Sequence, residues 1–100
     1  LEFKREFRLL EAVDELSFFA MECERLGAAR VGRLLLERYR ALTGDRPTEP
    51  LRLFYSAHRA CVRARLAILH IDELPPGAGT AWRERALAYL RLAQEYCRGL

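Results

Sequence analysis

The sequence predicts an all-α protein, a four-helix bundle-like fold with a short N-terminal β-hairpin or extended segment. Three observations carry that expectation. First, apolar side chains at Leu51, Phe54, Ala57, Cys61, Ile68 and Ile71 keep a helical spacing, and 21 residues at about 1.5 Å each make a rod about 31 Å long. Second, turn-forming residues punctuate the chain at Gly27, at Gly44-Asp45-Arg46-Pro47 and at Pro75-Pro76-Gly77-Ala78-Gly79. Third, 51% of the 100 residues are hydrophobic, enough for one core in one domain.

The elements follow in order. Leu1, Phe3, Phe7 and Leu9 alternate with Glu2, Lys4, Glu6 and Arg8, with Arg5 the exception, a period of two that predicts an extended stretch or a hairpin turning near Lys4-Arg5-Glu6 over residues 1–10. From residue 11 onward the period is helical. A first helix is expected near 12–26, with Val13, Leu16, Ala20, Cys23 and Leu26 on one face, early acids at Asp14 and Glu15, and Gly27 as its stop. A second, near 29–43, turns Val31, Leu34, Leu35 and Leu42 inward and ends at Gly44. The third, near 49–72, starts at an N-capping Thr48 with Pro50 in its first turn. It is expected to be the most buried, with Leu51, Phe54, Cys61, Val62 and Ile68 inaccessible. Thr80 caps the fourth, near 81–98, whose inner face holds Trp82, Ala86, Tyr89, Leu90, Ala93 and Cys97. No linker is long enough to divide residues 1–100 into two domains.

Composition narrows the function. The net charge is +3, with nine basic and ten acidic groups in residues 1–50 against eight and four in residues 51–100. That excess is milder than the dense basic stripe of a nucleic-acid module, so no nucleic-acid partner is expected. The longest apolar runs fall far short of a bilayer span, and no membrane partner is expected either. Cys23, Cys61 and Cys97 are odd in number and sit in helical patterns, which fits buried free thiols in a reducing cytoplasm. His58 and Cys61 stand three apart, with Cys23, Cys97 and His70 as further soft donors, yet no Cys-x-x-Cys pair exists and no metal site is assigned. The segment Pro75–Gly79 lacks the strand and the Gly-Lys-Ser/Thr ending of a phosphate loop, so it reads as a connector.

Four blocks together resemble one family. Leu1-Glu2-Phe3, Val13 through Met21, Tyr39 with Thr43-Gly44-Asp45, and Phe54 through Arg65 are similar in order and spacing to the C-terminal part of bacterial aminoglycoside phosphotransferase-like proteins. The likeness is closest to the branch in which that kinase-like domain is joined to a P-loop nucleotide-binding domain, and it covers about residues 1–70. It implies a protein-kinase-like fold whose catalytic His-Gly-Asp loop and metal-binding Asp lie ahead of Leu1, the metal-binding Asp in an Asp-x-x-Glu-Phe segment ending at Glu2-Phe3. No His-Gly-Asp occurs in this chain. The resemblance therefore implies a helical subdomain without catalytic residues or cofactor of its own, Mg-ATP belonging to the parent protein. Its principal partner would be that parent's missing N-terminal part.

The resemblance also singles out residues. Asp14 matches the acid of a family block that follows the metal-binding segment, and its implied role is to brace the parent's catalytic loop. Glu15, Glu22 and Glu24 match an acidic substrate side, with Glu22 and Glu24 the substrate-side candidates. Arg59 and Arg63 lie four apart, and a charge partly removed from water needs a partner, so one of them is expected to pair with Asp14 or Glu15. An extended apolar edge at residues 1–10 would favour a homo-oligomer. Two readings from other classes remain. A self-standing helical protein-protein interaction module would share the blocks without the kinase context, and a ligand-binding or nucleic-acid module would need a pocket or a continuous arginine stripe.

Overall fold

The computed structural model describes residues 2–100, with side chains from residue 4 onward. Its elements are α1 (Glu2–Arg25), α2 (Ala29–Thr43), α3 (Glu49–Asp72) and α4 (Thr80–Arg98), and there is no strand among the described residues. The all-α architecture is as expected. The N-terminal hairpin is not: the region is the first two turns of α1. Its alternation is short enough to satisfy a helical register as well. A helix that continues from Ala12 gains one hydrogen bond per added residue, whereas a lone hairpin is marginal in water. Leu1 lies outside the described residues.

Helix ends follow local chemistry closely. Gly27 takes φ 77°, its N–H donates to the Glu24 carbonyl, and the Ala28 N–H donates to the Cys23 carbonyl at 2.7 Å, the paired bonds of a Schellman cap. Gly44 closes α2 at φ 76° with a single bond to the Arg40 carbonyl. Beyond it, the Thr43 hydroxyl donates to the Tyr39 carbonyl and accepts from the Asp45 N–H, while the Tyr39 hydroxyl donates to Asp45 Oδ2 at 3.2 Å. Thr48 caps α3 by accepting from the Leu51 N–H at 3.4 Å, with Pro50 in the first turn. Thr80 is the first residue of α4 and Gly79 occupies the cap position, so the expected Thr80 cap does not form.

The core lies between α1, α3 and α4. Ala57, Ala60, Ala64 and Ala67 form a continuous buried ridge on α3. Facing it, α4 supplies Ala86, Tyr89, Ala93 and Tyr96, and α1 supplies Met21, with Phe18, Leu53 and Leu92 closing the edges. The pairing of α3 with α4 is antiparallel: Leu53 packs beside Gly99 at one end, and His70 stacks on Trp82 at 4.2 Å at the other.

That arrangement corrects the expected core face of α3. Phe54 is 56% exposed and Ile68 46%, Cys61 is exposed, and Leu51 and Val62 are only half-buried. Helix axes can approach closely only where side chains are small, so α3 turns its alanines toward α4 and its bulkier residues away. Cys97 is exposed as well, and Cys23 alone of the three thiols is buried. On α4, Tyr96 is buried beside Tyr89 while Leu90 and Cys97 face outward. The helix α2 packs on α1 alone among the major pairings, and Val31, Leu34, Leu35 and Leu42 point outward.

The α1–α2 contact is made by Gly32. A Cβ there would meet Ala20 Cα at 2.8 Å and Ala20 Cβ at 2.9 Å, with backbone on one side and helix on the other. Gly32→Ala would gain about 1 kcal/mol of helix propensity but would force the helices apart, a cost of about 1–3 kcal/mol. Net destabilisation is expected by chemical denaturation, whereas Phe54→Ala should cost no more than about 1 kcal/mol because half of the ring is already in water. A stabilised Gly32→Ala, or a Phe54→Ala loss above 2 kcal/mol, would refute this assignment of the core.

Candidate functional site

The α1–α3 seam gathers the charged residues that the sequence singles out. On α3, Ser56, Arg59 and Arg63 fall at spacings of three and four, one edge of the helix beside the alanine ridge. On α1, Asp14, Phe18, Glu22 and Arg25 form the answering edge. Asp14 meets Arg59 and Glu22 meets Arg63 across the seam, and the Ser56 hydroxyl donates to the Ser17 carbonyl at 3.5 Å.

The first cluster is a two-pronged clamp. Arg59 donates from Nε to Asp14 Oδ1 and from Nη2 to Asp14 Oδ2, both at 2.8 Å. Glu15 lies 3.9 Å from the same Nη2 and stays largely in water. The guanidinium also sits 4.8 Å from the centre of the Phe18 ring, so a cation–π contact backs the fork. The hydrogen bonds to Asp14 hold the Arg59 pKa above its ordinary value, overcoming the opposing effect of desolvation. The expected pairing of α3 with Asp14 therefore exists, and Arg59 makes it. Asp14 and Glu15 lie mid-helix and not at a helix start, because α1 begins at Glu2.

Arg63 belongs to a second cluster. Its Nε–H is shared between Glu22 Oε1 at 3.3 Å and the Tyr89 hydroxyl at 3.4 Å. Tyr89 in turn donates to the Glu22 carboxylate, with its hydroxyl 2.7 Å from Oε1 and 3.0 Å from Oε2, and Arg25 Nε donates to Oε2 at 3.3 Å. Both guanidiniums also flank the Tyr89 ring, at 5.1 Å for Arg25 and 5.6 Å for Arg63. Hydrogen bonding to Tyr89, followed by further interaction with Tyr89 and then with Glu22, raises the Arg63 pKa against desolvation. Glu22 is thus a structural centre with both oxygens engaged, and Glu24 is the exposed member of the substrate-side pair. Tyr89 and Arg25 were not foreseen in this role. Tyr89 reads as a core aromatic in a helical pattern, and nothing local marks its hydroxyl for a carboxylate 67 residues away.

The soft donors do not converge. Among the described residues no three His, Cys, Asp or Glu side chains are grouped to hold a metal ion. Nor, among those residues, is any helix long and apolar enough to cross a membrane.

A cleft of about 260 Å³ lies on the other side of α1, where α2, the start of α3 and the end of α4 meet. Leu16, Leu36, Leu53 and Pro47 supply apolar wall, and Ser17, Arg52 and Tyr96 supply polar wall. Burial, and then the charge of Glu24, push the Tyr96 pKa far above the usual tyrosine range.

Comparison with known proteins finds relatives in mycobacteria. Over 78 residues the chain is 38% identical to the uncharacterized protein Rv2004c of Mycobacterium tuberculosis H37Rv and to the uncharacterized protein Mb2027c of Mycobacterium bovis. The match takes in 78% of this chain and 16% of each relative, so the chain spans about a sixth of their length. No protein-family model matches the chain, and no solved structure does.

Two predictions follow from the seam and from Tyr96. Because Asp14 and Arg59 are both about three-quarters buried, a double-mutant cycle with Asp14→Ala and Arg59→Ala should give a coupling of about 1 kcal/mol, and additive losses would show that the clamp is energetically idle. Tyr96 has a folded pKa raised above the unfolded value of about 10, so the unfolded state loses its proton first. Its stabilising contribution is whole below pH 10 and declines above it. Tyr96→Phe should therefore flatten the alkaline fall in stability relative to the parent chain, and parallel pH profiles would contradict the assignment.

Proposed function

We propose that this chain is the C-terminal helical subdomain of an aminoglycoside phosphotransferase-like protein, non-catalytic by itself, that scaffolds the catalytic loop and part of the substrate side. The observation that carries the reading is the Asp14–Arg59 clamp, because it joins two of the four blocks on which the resemblance rests. A carboxylate offers about four lone-pair sites, and Arg59 takes one from each oxygen. Asp14 retains acceptor capacity for backbone N–H groups of a catalytic loop, and its partial exposure leaves that loop an approach. Relatives several times longer than the match agree with a subdomain inside a larger protein. Glu15 and Glu24 are the exposed acids of this set and the ones placed to face a substrate, while Glu22 braces the helices. In this reading Mg-ATP is bound by the parent protein, in the cytoplasm.

A second reading, a self-standing helical interaction module, is favoured by one observation. Large apolar side chains at Val31, Leu34 and Leu42 on α2 and at Phe54, Ile68 and Leu69 on α3 are exposed. The outward turns of α1 at residues 4–8 are exposed too, and self-association there would be helix against helix, not strand against strand.

One set of measurements separates the readings. In the whole reading frame that contains this chain, Asp14→Ala and Arg59→Ala should lower phosphoryl transfer from Mg-ATP by about 10- to 100-fold, as loss of an orienting partner does. The 100-residue chain alone should bind no Mg-ATP by calorimetry and should associate through residues 1–10 in sedimentation. Micromolar Mg-ATP affinity in the isolated chain, or a frame without phosphotransferase activity and without a His-Gly-Asp loop, would overturn the subdomain reading. A monomer unaffected by deleting residues 1–10 would overturn the assembly.

A further inference from the structure

The cleft beside α1 holds an arginine that closes no ion pair among the described residues. Arg52 is the α3 residue seven before Arg59, yet it takes part in none of the ion pairs that Arg59 and Arg63 make. Its Nε is shut off from solvent and has no hydrogen-bond partner. Desolvation, and then the nearby positive charge of Arg40, lower its pKa, while Glu49 acts in the opposite direction from three residues earlier without closing an ion pair. A second guanidinium, Arg33, lines the same cleft. Glu24 and Glu49 are the acids of the wall, and Glu24 faces Tyr96.

One further polar group in the wall is unsatisfied. Ser17 is 3% exposed and its hydroxyl has no partner, although its carbonyl accepts from Ser56. Tyr96 is 8% exposed, and burial together with Glu24, the hydrogen-bonding partner of its hydroxyl, raises its pKa. Buried polar groups are mostly paired, so the Ser17 hydroxyl and Arg52 Nε make this wall less satisfied than the rest of the interior, and the Arg52 guanidinium lines the cleft without an ion pair. The remaining wall is aliphatic, from Val13, Leu16, Ala20, Leu36 and Leu53.

We propose that this cleft binds a small amphipathic carboxylate, its charged head on the Arg52 guanidinium and its short apolar body against Leu16, Leu36 and Leu53. At about 260 Å³ the space falls just below the range of about 300–1,000 Å³ typical of sites for drug-sized ligands, which suits a body of a few carbons. An inorganic anion would lose its water against aliphatic wall with little in return, and a neutral hydrocarbon would leave the guanidinium unpaired. The head group supplies the charge-assisted partner that no carboxylate among the described residues gives Arg52 as an ion pair. This inference does not rest on the kinase-like reading.

Hexanoate serves as the probe, titrated into the 100-residue chain and followed by NMR. Saturable one-to-one binding is expected, with shifts centred on the methyls of Val13, Leu16 and Leu53. Acetate carries the charge without the body, and hexan-1-ol carries the body without the charge. Each should bind at least about ten-fold more weakly than hexanoate. Arg52→Gln should weaken hexanoate by about ten-fold or more, Arg52→Lys by less, and Arg46→Gln, at an exposed site outside the cleft, not at all. Shifts on the unaltered chain that fall instead on exposed Leu66 and Leu87, binding that never saturates, or equal affinities for hexanoate and hexan-1-ol would overturn the proposal. So would an Arg52→Gln chain that retains its fold and binds as before.

Discussion

The Glu22 carboxylate is the constraint on which the bundle depends. It is a charge brought among three helices, and its oxygens are satisfied only by groups from all of them: the Tyr89 hydroxyl of α4, Arg63 of α3 and Arg25 of its own helix. Removing a charge from water costs several kcal/mol unless partners surround it, and a slip of α3 or α4 by a turn would take away one of those partners. Apolar packing is tolerant of small slips, because one aliphatic contact resembles another. A carboxylate held by a hydroxyl and two guanidiniums is not, so the cluster selects one register of α1 against α3 and α4.

The alanine ridge of α3 complements that selection. Because Ala57, Ala60, Ala64 and Ala67 allow close approach, α4 can place Tyr89 deep enough for its ring to fill the core and its hydroxyl to reach the edge. A larger residue at Ala60 or Ala64 would lift α4 and withdraw that hydroxyl from Glu22. Tyr89 thus couples the apolar and the charged halves of the fold in one side chain. Arg25 and Arg63, stacked beside its ring, deepen the coupling without adding a polar group to the core.

Much of this was legible in residue types and spacing. The helix ends at Gly27 and Gly44 and the Thr48 cap depend on a few neighbouring residues, so they could be read locally. The Asp14–Arg59 clamp was legible because an arginine near the middle of a packed helix needs a carboxylate, and the first helix offers acids. What could not be read depends on which neighbour arrives. The apolar stripe of α3 through Phe54 and Ile68 is as periodic as the alanine stripe beside it, and only the approach of α4 decides between them. Residues 2–10 were misread because alternation over so few positions is compatible with both periods, and continuity with the helix beyond decides the outcome. Cys61 and Cys97 follow the same logic, being apolar by type but outward by register.

Three arginines on α3 make the contrast between scaffold and cleft concrete. Arg52, Arg59 and Arg63 are spaced seven and four apart, and repetition alone would assign them one role. Arg59 and Arg63 reach α1 where it carries Asp14 and Glu22, and both have their pKa raised by hydrogen bonding. Arg52, on the first turn of the same helix, lines a cleft with Leu16, Ser17, Ala20 and Glu24 of α1 but closes no ion pair there, and its pKa is lowered. The difference therefore lies in the partner helix and not in the arginines. Where α1 supplies carboxylates the seam is closed and fixes the fold. Where its side chains are mostly aliphatic the seam opens into a cleft, lined by an arginine that packing within the chain leaves without an ion pair.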